Sequence, residues 1–285
     1  MDISINNKAA DITLDTEKTL GDILLGIEQW ISPTGNRIRG LSINGEALDE
    51  NTLSAAFGKD VKEIKKLDIV ISSWRELAAE ALEDLLETCA LYGNAAFDER
   101  GKITAYWETS SAARFLTSDI PDIYELACRT LAGEGLSAQE LAILTEERLR
   151  ELRDPPQEIR GLETLVRNVA ERMEELPLDI QTGKDERAAE TVQHFSRIGE
   201  KLFRIFFILK SEGLSSDTFF IDDLPARLFM EEFNAVLKEL SAAYANKDTV
   251  LVGDLAEYEL APRLLKFFSA LKNFTESSSA SVPPT

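Results

Sequence analysis

The stretch Lys66-Leu67-Asp68-Ile69-Val70-Ile71-Ser72-Ser73-Trp74-Arg75-Glu76-Leu77 decides the fold, because two structural periods meet in it with no linker between them. Up to Ser72 the residues are extended, β-branched and apolar, which reads as a strand. From Trp74 the period changes from two to about 3.6, and Leu77, Ala81, Leu82, Leu85, Leu86, Cys89 and Ala90 fall on one helical stripe that ends at Gly93-Asn94. Ser73 stands where a helix N-cap is wanted, its hydroxyl able to accept from the first free N–H groups. A strand therefore feeds a helix directly. The chain divides at this point into a small β-rich unit, residues 1–73, and an acidic helical bundle, residues 74–274. Residues 275–285, rich in Ser, Ala and Pro, are expected to form a disordered tail.

Upstream of the junction, Ile3 and Ile5, then Ile12 and Leu14, alternate with polar neighbours across Asn6-Asn7, the pattern of a short antiparallel hairpin. Thr19 can cap a helix with apolar positions Leu20, Ile23, Leu24, Ile27, Trp30 and Ile31, stopped by Pro33 and Gly35. Ile38 to Ile43 is extended, Asn44-Gly45 is a type I′ turn signal, and Ala47-Leu48 pairs back before a polar connection to the Lys66 strand. This ββαβ(β)β order, with its Ile43-Asn44-Gly45-Glu46 turn, resembles the ubiquitin-like β-grasp fold. The resemblance covers about a quarter of the chain and implies a sheet whose open face or edge strand binds proteins. Carriers of that family end in Gly-Gly, whereas Ser72-Ser73-Trp74 stands in the matching place, so carrier chemistry is not implied.

Downstream, Phe97 to Tyr106 reads either as a short helix or as a loop, since Asp98-Glu99-Arg100-Gly101 has turn character. Ile120-Pro121-Asp122 opens a helix that Gly133 and Gly135 close, and Ser137 with Glu140 forms a capping box before Leu141 to Leu152. Leu162, Leu165, Val166, Val169 and Met173 make the next stripe. Glu186 to Ser211 is the strongest helix, and Gly213 is its expected stop. Phe219-Phe220-Ile221 reads as a loop, Leu224 to Tyr244 as a helix, and Val250 to Phe274 as another, broken or kinked at Pro262. A bundle of about six to eight helices is expected.

The net charge of −20 repels phosphate backbones and anionic headgroups, so neither nucleic acid nor membrane is an expected partner. Residues 1–73 hold 8 Lys/Arg against 12 Asp/Glu, leaving 23 against 39 for the rest, so most of the acidity is helical. Cys89 and Cys128 are too few for a disulfide framework and sit on apolar helical stretches. With no basic segment preceding an apolar run at Met1-Asp2-Ile3-Ser4 and no long apolar stretch, a soluble cytoplasmic protein is expected.

No linear motif carries chemistry. His194 is the single histidine, which excludes a multi-histidine metal centre, and on the central helix it reads as a structural or surface residue rather than a general base. Thr182-Gly183-Lys184-Asp185 lacks the first glycine and the Ser/Thr of a phosphate loop and reads as a turn with a helix start. Glu146-Glu147, Glu174-Glu175, Asp222-Asp223 and Glu231-Glu232 read as solvated faces or helix N-terminal charges, the last role suiting Asp222-Asp223 best. Asp254 and Glu257, three apart with Tyr258 beside them, could form a paired-carboxylate site or a docking face for a basic partner, but two ligands fall short of the roughly six oxygens that Mg²⁺ or Ca²⁺ takes. Phe206 and Phe207, adjacent within an apolar run, make that helix apolar nearly all round, hence either central or half of a homodimer interface.

These readings give an α+β protein in which a β-grasp module precedes an acidic helical domain. The expected function is non-enzymatic: a protein-binding or scaffold role toward a protein partner, with no cofactor and no metal. Phe206, Phe207, Asp254, Glu257 and Tyr258 are the candidate interaction residues. The alternatives are a small-ligand protein or enzyme with an inter-helix pocket, and an acidic regulator of a basic, nucleic-acid-binding protein.

Overall fold

The computed structural model describes residues 1–14, 17–211, 214, 215 and 217–280. The expected stop at Gly213 and residues 281–285 of the expected tail lie outside them. A five-stranded mixed sheet is followed by a mostly helical region. By compactness the chain forms two units, Met1–Glu146 with Ser211–Gly213, and Glu147–Lys210 with Leu214–Thr285.

The first unit opens with β1 (Asp2–Ile5) and β2 (Lys8–Ala9), joined at Asn6 and Asn7, whose φ values of 48° and 62° are those of a type I′ turn. The Asn6 side chain then works as a piece of strand: its amide donates to Ile71 O and its Oδ1 accepts from Ile71 N. β2 is shorter than expected, because Ile12 and Leu14 leave the ladder and pack half-buried against the core instead. α1 (Leu20–Ile31) starts at a reciprocal capping box between Thr19 and Asp22, and its buried face is Leu20, Ile23, Leu24, Ile27 and Ile31. Trp30, expected on that stripe, is instead 67% exposed.

β3 (Asn36–Ile43) and β4 (Glu46–Leu48) form a hairpin across Asn44 and Gly45, and β5 (Lys66–Ser73) completes the sheet. The connection between β4 and β5, expected to be a polar loop, contains α2 (Glu50–Ala56), started by a capping box in which Thr52 at N3 takes the place of the usual Glu or Gln. The strand order is β2-β1-β5-β3-β4, with β5 in the centre, parallel to β1 and antiparallel to β3. One face packs Ile3, Leu41, Ile43, Leu67 and Ile69 on α1, while the other carries a polar ladder. There Asp68 on β5 faces Ser4 on β1 and Ser42 on β3, and accepts hydrogen bonds from both. Lys66 first, then Ser4, hold the Asp68 carboxyl below its ordinary range.

β5 runs straight into α3 (Trp74–Asn94). Ser73 Oγ accepts from Glu76 N at 3.1 Å and Glu76 Oε2 accepts from Ser73 N at 2.9 Å, a full capping box. The stripe of α3 is rotated slightly from the expected one: Ala78, Thr88 and Tyr92 are buried, while Ala90 is exposed. α4 (Phe97–Glu108) settles the ambiguity after α3 as helix, with Asp98 and Glu99 in its first turn, where carboxylates favour the macrodipole. α5 (Ser111–Asp119), α6 (Pro121–Leu131) and α7 (Ala138–Arg153) follow, the last opened by the Ser137–Glu140 box. Asp119, the last residue of α5, joins sheet and helices within this unit: Trp74 Nε1 donates to its Oδ1 at 3.0 Å, and Arg37 on β3 pairs with the same oxygen at 2.7 Å.

The second unit contains the end of α7 with α8 (Pro155–Glu174), α9 (Leu176–Gln181), α10 (Asp185–Ser211), α11 (Ala226–Ala245), α12 (Thr249–Asp254) and α13 (Ala261–Ala280). From Trp74 onward, eleven α-helices are present among the described residues rather than six to eight, two of them, α9 and α12, only six residues long. Between α10 and α11 the expected loop contains a short hairpin, β6 (Phe220–Ile221) and β7 (Leu224–Pro225). Asp222 and Asp223 are its turn, at φ 50° and 66°, and not the helix N-terminal charges expected of them. The break expected at Pro262 is a π-helical turn, Leu255–Leu260, completed just before it. Helix α13 runs six residues into the expected tail: Thr275 is buried and donates to Lys272 O, and Ser277 donates to Asn273 O. Phe195, Phe203, Phe206, Phe229, Phe233 and Phe267 form the centre of the core, with Phe203 stacked on Phe233 at 5.7 Å.

Removing the Ser73 hydroxyl leaves the Glu76 amide at the start of α3 without its acceptor, so Ser73→Ala is expected to cost about 1 kcal/mol. Urea denaturation measures it, and Ser73→Asp, which keeps an acceptor, is expected to stay close to the parent.

Candidate functional site

In the first unit an apolar cleft of about 500 Å³ opens between α1 and the segment that follows β2. Ile5, Ile12 and Leu14 form one wall, Ile23, Ile27 and Trp30 the other, and Asp11 and Glu17 also line it. Gly26 on α1 leaves room there, since a Cβ at that position would meet nothing within 4 Å. The cleft exists because residues 10–14 leave the sheet after two residues of pairing, so their apolar side chains are only half covered. Trp30 has most of its ring in solvent although its neighbours Ile27 and Ile31 are buried. A large apolar side chain held at the mouth of a concave apolar surface is a feature of protein-binding sites. β2 is also an outer strand of the sheet.

The second unit contains a buried ionic network. Glu151 on α7 is 1% exposed and is gripped by Arg204 on α10 through two parallel bonds, Nε to Oε2 at 2.9 Å and Nη2 to Oε1 at 2.7 Å. Lys201, one turn earlier on α10, reaches Glu147 at 2.9 Å and Glu158 on α8 at 2.8 Å, with Glu151 Oε1 at 3.8 Å. Arg150 on α7 also pairs with Glu158 at 3.6 Å, so three helices share one cluster of three carboxylates and three cations. Burial alone would raise the Glu147 carboxyl, but the hydrogen bond and charge of Lys201 outweigh it and hold it below its ordinary 4.5. Burial likewise disfavours charged Lys201, and Glu158 and Glu147 outweigh it, so the ammonium is held above 10.5. Every charge in the cluster is countered, which makes it structural and leaves no free base or nucleophile.

The residues singled out from the sequence are scattered. Phe206 is 3% exposed within the aromatic core, so it packs and is not part of a surface. The apolar girth of α10 is covered by helices of its own unit, and Phe207, 58% exposed, is the part left in solvent. Asp254 ends α12 while Glu257 and Tyr258 lie in the π-helical turn. Glu257 accepts a hydrogen bond from Tyr258 and, together with the Asp254 charge, holds that phenol above its ordinary range. Among the described residues no three His, Cys, Asp or Glu side chains converge as metal ligands, and no helix is long and apolar enough to cross a membrane.

His194 is exposed beside Arg172, 3.3 Å from Nη1. Lys184 donates its backbone N–H to Asp179 O and pairs with the buried Asp179 carboxylate, which Arg187 Nε also approaches to 3.0 Å, so this segment is the turn and helix start it was read as. Cys89 and Cys128 are free thiols, and burial pushes that of Cys89 up to about 11.

With this geometry in hand, residues 1–73 match the family described as the TP0873 N-terminal domain, and the match ends where β5 does. Residues 157–269 match a family described as a domain of unknown function, DUF8042, which runs from the first turn of α8 into the first half of α13. No curated protein and no solved structure matches the chain.

Removing one side of a buried ion pair strands the other, so Glu151→Gln is expected to cost roughly 3 kcal/mol in urea denaturation, and a Glu151→Met/Arg204→Met double variant to recover most of that loss. The pH dependence follows from the same cluster. The Glu147 contribution is complete above its ordinary 4.5 and is lost as pH falls through the depressed folded value, while that of Lys201 is complete below 10.5 and is lost as pH rises through the raised one. Melts of the full chain should therefore fall off on both flanks, and Glu147→Gln should flatten the acid limb.

Proposed function

We propose that the chain is a non-enzymatic adaptor, and that residues 1–73 are a β-grasp docking module for a protein partner. The strand order β2-β1-β5-β3-β4 with its parallel central pair and crossing helix supports the β-grasp reading. The observation that carries the docking role is the apolar cleft beside the β2 edge, with Trp30 at its mouth and 67% exposed. An extended segment of the partner would lie along that edge, bonding through its backbone and placing apolar side chains between α1 and Leu14. Basic flanks on that segment would meet Asp11 and Glu17, and would suit the net charge of −20. The helical part would then act as the scaffold behind the module, in the cytoplasm.

Pull-down on immobilised full chain, with bound proteins identified by mass spectrometry, tests this against a Trp30→Asp variant. The aspartate sits on an exposed position, so the circular dichroism spectrum is expected to be unchanged while the specific partner is lost. A partner held equally by both chains would place docking elsewhere.

A further inference from the structure

Helix α1 contains two glycines, and only one of them has a packing reason. A Cβ on Gly21 would stand 2.9 Å from Cδ1 of Phe57, so close contact demands the missing side chain there. Gly26 sits inside the helix, where glycine holds the backbone less firmly than alanine would. Its φ is not in the left-handed region, and its Cβ would meet no atom within 4 Å. Neither backbone conformation nor packing therefore accounts for it. What the missing side chain leaves is open floor in the cleft between α1 and residues 10–14, which Gly26 lines. A helical side chain ordinarily slants back over the preceding turn, yet Trp30, four residues on and largely exposed, does not cover that floor. Ile23 and Ile27 flank the gap on α1, and Ile12 and Leu14 belong to the opposite wall. The helix thus gives up stability for a slot with apolar sides, a bare backbone floor and an indole at its mouth. The charged side chains lining the cleft, Asp11 and Glu17, are both acidic.

We propose that the slot over Gly26 takes one aromatic side chain of the docking partner, carried on an extended segment with a Lys or Arg two residues away. This rests on the docking role given to the cleft and adds which side chain the cleft selects. A planar ring lies on the bare helix backbone and meets the Trp30 indole, and aromatic pairs gain from offset or edge contact beyond the area they bury. Side chains two apart on a strand point the same way, so the cation reaches Asp11 and Glu17 while the ring is seated. Gly26 is then the residue that sets specificity, because any larger side chain there would occupy the slot itself.

Selection of phage-displayed random dodecapeptides on the immobilised full chain tests it, the enriched peptides then being synthesised and titrated against the parent, Trp30→Asp, Gly26→Ala and Gly26→Leu. Peptides whose binding depends on Trp30 are expected to share one aromatic residue with a Lys or Arg two positions away. Gly26→Leu is expected to weaken them by at least about tenfold and Gly26→Ala by less. Both glycine variants are expected to melt at or above the parent temperature, because the helix gains a better former. Trp30-dependent peptides that share no such aromatic–basic pair, or that bind Gly26→Leu as tightly as the parent, overturn the slot and leave the docking cleft standing. A fall in melting temperature for both glycine variants also overturns it, since Gly26 would then serve the fold. Failure to enrich any Trp30-dependent peptide overturns the docking reading itself, and the slot with it.

Discussion

Asp119 is the point on which the first unit turns. Its side chain, at the end of α5, accepts from the indole of the first residue of α3 and pairs with a guanidinium from β3. β5 has no slack to give, because its last residue, Ser73, is also the cap of α3. Trp74 N donates to Gly35 O at 2.9 Å, so the backbone of the junction is tied as well as its side chains. The direction of α3 leaving the sheet is therefore fixed by a hydrogen-bonded corner, and α5 is positioned by the same atom. A change at Asp119 would act on strand, helix and helix at once.

The second unit solves a different problem. A chain with 51 acidic residues needs some of them to be compatible with packing, and the Glu151 cluster shows how. Three carboxylates are taken inside by two cations on α10, so the helix with the most apolar core face also carries the counter-charges. Such an arrangement adds little net stability over an apolar core, but any mis-registry of α7 or α8 against α10 would strand a charge. Its contribution is to register, while the phenylalanine cluster supplies the burial.

Local signals were legible in the sequence and distant ones were not. The caps at Thr19 and Ser73, the box at Ser137 and the turns at Asn6-Asn7 and Asn44-Gly45 each depend on residues within four positions, and the structure has them all. α2 escaped because its box uses Thr52 at N3, and the β6–β7 hairpin because Asp222-Asp223 satisfies a helix-start pattern equally well. Burial of Trp30 was misjudged since periodicity says which side a residue faces but not whether anything covers it. The Glu151–Arg204 pair spans 53 residues and the cleft beside α1 is formed by segments brought together only by the sheet, so neither leaves a mark in the linear chain.

The two outer strands, β2 and β4, are two and three residues long. An edge that short offers a neighbouring copy too few backbone groups to start a continuous ladder, and exposed Lys8 on β2 and Glu46 on β4 put a charge on each edge, so the sheet is protected from growing by self-addition. The same brevity limits what a legitimate partner could gain from backbone pairing. Recognition at this edge has to be decided by side chains, and the unpaired residues after Ala9 are where the chain provides the room for them.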